Sequence, residues 1–139
     1  MRVPPIAKLL LLFVALLIAF LLVLPILVHR QQFAFRHSSP GYYADFTRAC
    51  DSLLAQHPVG TNKFVEVPIN EPSLPDIIRQ VHPFSIKVAS NRVWILAWGP
   101  GRGNGVAIVW EPQSQGQTNV WTLSTTVENQ TRTLYAAAR

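Results

Sequence analysis

Four tryptophans, Trp94, Trp98, Trp110 and Trp121, crowd into the last third of this 139-residue chain. Indole rings offer broad apolar faces with one polar N–H, the kind of surface on which sugars and peptides stack. Trp94 and Trp98 are four residues apart and share strand parity, so both are expected on one sheet face. A platform would leave the rings exposed on the face away from any helices. A core under the helices is the plainer expectation. Gly99 to Gly105 (GPGRGNG) lies among them and invites a phosphate-cradle reading. Its glycines are spaced by two, no Lys-Ser/Thr follows, and an apolar strand comes next rather than a helix start. The segment reads as a hairpin loop with Arg102 at its tip, placed to touch an anion or headgroup. Trp94, Trp98, Arg102, Trp110 and Trp121 are therefore the candidate ligand or partner surface.

The remaining reactive side chains do not converge by spacing. His57-Pro58 and His82-Pro83 each close a predicted helix, where an imidazolium gains from the helix dipole. Neither shows the spacing of a metal ligand. Cys50 falls on an apolar helix stripe, where a free cysteine behaves as a small hydrophobe. A nucleophilic role with a histidine as base is the alternative. The seven carboxylates are scattered, and Asp45 and Asp51 do not share a helix face. No catalytic residue, metal ligand or cofactor is nominated. Asn129-Gln130-Thr131 fits the glycosylation sequon.

The elements that would position these residues begin with an apolar run, Leu9 to Val28, which contains no charged side chain. Roughly 20 helical residues cover about 30 Å, the thickness of a bilayer's hydrocarbon core. The run exceeds a signal-peptide core, and no small-x-small cleavage site follows it. Residues 1–28 are read as an uncleaved, single-pass anchor, with Pro25 kinking rather than breaking it. Residues 29–39 are read as a juxtamembrane linker in which Phe33 and Phe35 reach the headgroup region. Residues 40–139 are read as one small domain.

The net charge of +5 suggests nucleic acid at first sight. Up to Pro40 the only charges are Arg2, Lys8, Arg30 and Arg36, whereas the rest balances eight basic against seven acidic residues. The basic excess thus flanks the apolar run, as headgroup contact requires, and no nucleic-acid motif accompanies it. Lys8 abuts the span, which favours a cytoplasmic N-terminus and a domain on the other side.

Within the domain, Ser39-Pro40 starts an amphipathic helix with Tyr42, Phe46, Ala49, Cys50 and Leu53 on its apolar stripe. Lys63–Val67 alternates weakly, like an edge strand. Ser73, with Asp76 three residues on, predicts a capping box and a second helix of about two turns. From Phe84 the period becomes two, and five strands follow: Phe84–Ala89, Val93–Trp98, Val106–Trp110, Val120–Val127 and Thr131–Ala136. The expected fold class is α+β, two helices on one face of an antiparallel meander of about five strands, behind a transmembrane helix. The function read from this layout is a membrane-tethered, non-enzymatic interaction or assembly module. Its expected partners are the lipid bilayer and another membrane or envelope protein. The alternatives are a small membrane-anchored hydrolase using a histidine, and a sugar- or cell-wall-binding domain using exposed tryptophans.

Overall fold

The computed structural model describes residues 4–99, 105–113 and 119–138. Its first element, α1 (Pro5–Arg36), is one helix of 32 residues, and it is long and apolar enough to cross a membrane. Pro25 removes one backbone donor, yet the helix runs on to Arg36. The residues expected to form a linker are therefore helical as far as Arg36. The spacing of Phe33 and Phe35 explains their different fates. Two positions apart on a helix they point roughly 200° apart. Phe33 stays exposed, while Phe35 is buried in the domain.

A three-residue break, His37, Ser38 and Ser39, leads into α2 (Pro40–Gln56). Ser39 is extended and its Oγ accepts from the Tyr42 N–H at 3.3 Å, the N-cap read from the sequence. Phe46, Ala49, Cys50 and Leu53 are buried on the expected stripe; Tyr43 and Leu54 join them, and Tyr42 is only partly covered.

The strands are β1 (Phe64–Val67), β2 (Pro83–Ala89), β3 (Val93–Ala97), β4 (Val106–Pro112), β5 (Val120–Val127) and β6 (Gln130–Ala138). They form one six-stranded antiparallel sheet in sequential order, so the weakly alternating Phe64–Val67 is a true edge strand. The register builds one row across all six strands: Val67, Ile86, Ile95, Ile108, Thr125 and Arg132. The four aliphatic members are fully or almost fully buried under the helices, and the row ends in a polar pair at the β6 edge.

The second predicted helix is shorter than expected. α3 (Asp76–Arg79) is a single turn whose N-cap is Pro75, with no capping side chain. The Ser73 hydroxyl donates instead to Glu71 Oε1 at 2.7 Å, so the capping box does not form. Leu74, Ile78 and Val81 are nevertheless buried in the same core, because their apolar spacing is served by irregular chain on either side of the turn. Two helices on one face of an antiparallel meander, behind a long apolar helix, is thus the α+β architecture of this chain.

Phe35 joins α1 to the domain. Its ring packs against Phe46 and Trp98 at 5.2 Å each and against Tyr43 at 5.9 Å. The Tyr43 hydroxyl donates to the Phe35 carbonyl at 2.6 Å. That carbonyl lies in the last turn of α1 and also accepts the Ser38 N–H at 3.2 Å, so the phenol adds a second donor to the helix end from the neighbouring element.

Candidate functional site

The tryptophans separate by position in the sheet. Trp110 faces Val93 and Leu123 across the ladder on the helix side, and its indole Nε1 donates to Asp51 Oδ1 of α2 at 3.3 Å. Trp121 stacks beside it with ring centroids 5.4 Å apart. Trp98 breaks the alternation: β3 ends at Ala97, and Trp98 takes a left-handed φ of 54°. That turn swings the ring from the outer face, where its parity would put it, to the helix side against Phe35. Trp98, Trp110 and Trp121 are all buried, which corrects their assignment to a ligand or partner surface. Trp94 and Trp98 do not share a face. The sequence signal for this was Trp98's place at the loop boundary, where strand parity lapses. Arg102 lies outside the described residues.

Trp94 alone remains on the outer face of the sheet, half-buried. The Arg92 guanidinium lies 5.2 Å from its ring centroid, and Arg92 also approaches Glu111 Oε2 at 3.5 Å. Nearby, Lys87 Nζ sits 5.2 Å from the centroid of the exposed Phe64 ring. A recess of about 420 Å³ opens beside Trp94, between residues 61–64 and the β2–β3 turn. The outer face is thus a Thr- and Ala-rich surface with two cation-capped aromatic rings at the β1 end.

The histidine alternative finds part of its geometry. His57 is the C-cap of α2, and its Nε2 lies 3.6 Å from Glu71 Oε1, too far for a hydrogen bond. A general base needs its nucleophile within hydrogen-bond reach. The Ser73 hydroxyl at this cluster is committed to Glu71. Arg79 Nη2 donates to the carbonyls of Glu71 and Pro72 at 2.7 and 3.0 Å. The cluster therefore clasps the end of α2 and the turn α3 to the β1–α3 connection. His82 closes the turn that follows α3, its N–H donating to the Arg79 carbonyl at 2.9 Å; it is exposed and in a left-handed conformation, φ 50°. Cys50 is fully buried, and burial, reinforced by the Asp51 charge beside it, pushes its thiol far above the ordinary 9.0. Thiolate chemistry is closed to it. Among the described residues, no group of three or more His, Cys, Asp or Glu is placed to hold a metal ion.

The remaining feature is the edge of the sheet. β6 is the longest strand, nine residues, and it is the last in the order, with no strand beyond it among the described residues. It contains no proline and one charge, Arg132. Natural edges are ordinarily short, charged or covered, because an open ladder recruits another strand. No family model, curated protein or solved structure matches this chain, so its functional reading rests on this geometry.

Proposed function

We propose that this chain is a single-pass, membrane-tethered, non-enzymatic interaction module that pairs with a second membrane or envelope protein through the open edge of β6. The observation that carries this reading is the edge itself. Nine residues give roughly 30 Å of ladder on which a partner strand could add. Exposed Thr131, Thr133 and Ala136 supply small side chains that a partner could cover without large desolvation. The docking of Phe35 supports a tether that holds this edge at a set height beside the bilayer. In this reading α1 is retained as the anchor, the N-terminus is cytoplasmic and the domain lies on the other side.

The test is a photo-crosslinking residue at Thr133 or Ala136 in native membranes, with Ala55 on the exposed side of α2 as the control position. Discrete protein adducts from the β6 positions, absent from Ala55 and lost when Thr133 and Ala136 are both changed to Lys, are expected. Equal adducts from all three positions would overturn the edge as the docking surface. Labelling of Thr61→Cys by a membrane-impermeant maleimide tests the orientation, since the native Cys50 is buried and silent.

A further inference from the structure

We infer that the recess between the last turns of α1 and the start of β6 binds a phosphate group, supplied by an anionic lipid headgroup when α1 lies in a bilayer; the lipid source rests on the tethered reading above. The recess measures about 430 Å³, and its walls include Arg30, Arg36, His29 and His37 of the α1 end together with Arg132 of β6. No carboxylate lines it. Among the described residues, none of these three arginines makes an ion pair.

Two observations point beyond a basic surface. First, Arg36 Nε is buried and has no acceptor. No described residue pairs with the Arg36 guanidinium, and a phosphate oxygen is the acceptor that its terminal N–H groups meet with best geometry. Second, the cations come from two separate elements. A helix C-terminus attracts cations by its own dipole, which accounts for Arg36 and His37. It does not account for Arg132, which the β5–β6 register places opposite the buried Thr125 on the helix side of the sheet. His37 is held ready at the rim: its Nδ1 lies 2.9 Å from the Phe33 carbonyl and its ring stacks on Phe33 at 4.0 Å.

The level of the recess fits its ligand. Exposed apolar side chains run from Ile6 to Leu27, and His29 begins the recess within the next half turn. Between Val28 and Arg36 the helix rises about 12 Å, the depth of a headgroup layer rather than of acyl chains. Basic side chains at this height are drawn to anionic lipid. Convergence of three arginines on one recess turns that diffuse attraction into a site.

The experiment uses the full chain in phosphatidylcholine nanodiscs containing phosphatidylglycerol, then native mass spectrometry of the detergent-released protein. Retention of phosphatidylglycerol over phosphatidylcholine is expected. Arg132→Gln, on an exposed strand position that tolerates polar change, is expected to lower that retention roughly five- to tenfold. Lys63→Gln removes the same charge from the opposite edge strand's approach and is expected to leave retention unchanged. A second arm titrates inorganic phosphate into the protein in neutral detergent by calorimetry. Saturable heat that Arg132→Gln abolishes, without lipid preference, supports the site and assigns it to free phosphate. Absence of both lipid preference and phosphate binding, or an equal loss in Lys63→Gln, overturns the inference. Carbonate extraction of native membranes separates this outcome from failure of the tether: a chain released by carbonate refutes the anchor while the phosphate titration still decides the site.

Discussion

At the scale of single residues, burial and close approach decide the sharpest outcomes. A Cβ at Gly105 would stand 2.8 Å from the Phe84 ring and 3.0 Å from the Ala97 carbonyl. Gly105→Ala is therefore expected to destabilise by about 1–3 kcal/mol, as overpacked sites do, and Phe84→Leu in the same chain should recover part of it. Urea unfolding of the unchanged chain, the two single variants and the double variant measures both. Cys50 was legible as a core residue because it fell on the helical stripe. Its thiol is protonated in the folded chain and free to ionise in the unfolded one. Above about pH 9 the unfolded state thus holds fewer protons, and stability falls with rising pH. Thermal melts from pH 8 to 10 are expected to show this, and Cys50→Ala should flatten part of the slope. Folded protein should resist iodoacetamide until denaturant is added. Asp51 was not legible in its role. Its partner Trp110 is 59 residues away, and no local spacing announces a hydrogen bond across the core.

At the scale of elements, periodicity was a good guide and capping a mixed one. The two serines that precede helices illustrate the difference. Ser39 is followed by a 17-residue helix, and its Oγ accepts the first-turn N–H of Tyr42, so Ser39→Ala is expected to cost about 1 kcal/mol. Ser73 has no such role because Pro72 and Pro75 flank it and the turn begins only at Asp76. Ser73→Ala loses a surface hydrogen bond to Glu71 and is expected to shift the melting midpoint by much less than Ser39→Ala, under the same conditions. Strand order and number were readable from the period-two runs and the short connections between them. Trp98 was misplaced for a physical reason: parity counts only while the backbone stays extended, and a single left-handed residue resets it. The helical state of residues 29–36 was not legible because their polar composition does not oppose helix when the preceding turns already supply acceptors.

At the scale of the whole molecule, the junction between α1 and the domain is the point of leverage. Phe35→Ala removes a ring packed among Phe46, Trp98 and Tyr43, and a loss of about 3–5 kcal/mol is expected from such a truncation. Hydrogen exchange in micelles should then accelerate at residues 29–38 first, with the sheet protected longer. Uniform loss of protection would mean that the junction and the sheet form one cooperative unit. The junction was the part of the site least legible in the sequence. It depends on a phenylalanine that looks like an interfacial residue when counted along the chain and becomes a core residue only once the helix is known to continue through it. The candidate partner edge was half-legible: Thr131–Ala136 could be recognised as a strand, but only the sheet order shows that no strand pairs beyond it among the described residues.

Sequential strand order has a consequence for how the chain is made. During synthesis each new ribbon of sheet meets its neighbour already exposed from the ribosome and needs no long search; only the β1–β2 connection, which carries α3, is more than a loop. Only α2 must wait, its greasy stripe uncovered, until the central strands arrive downstream. A nascent chain halted after β3 would be the species most in need of a chaperone, and one released after β5 would differ from the finished protein by a single missing rung.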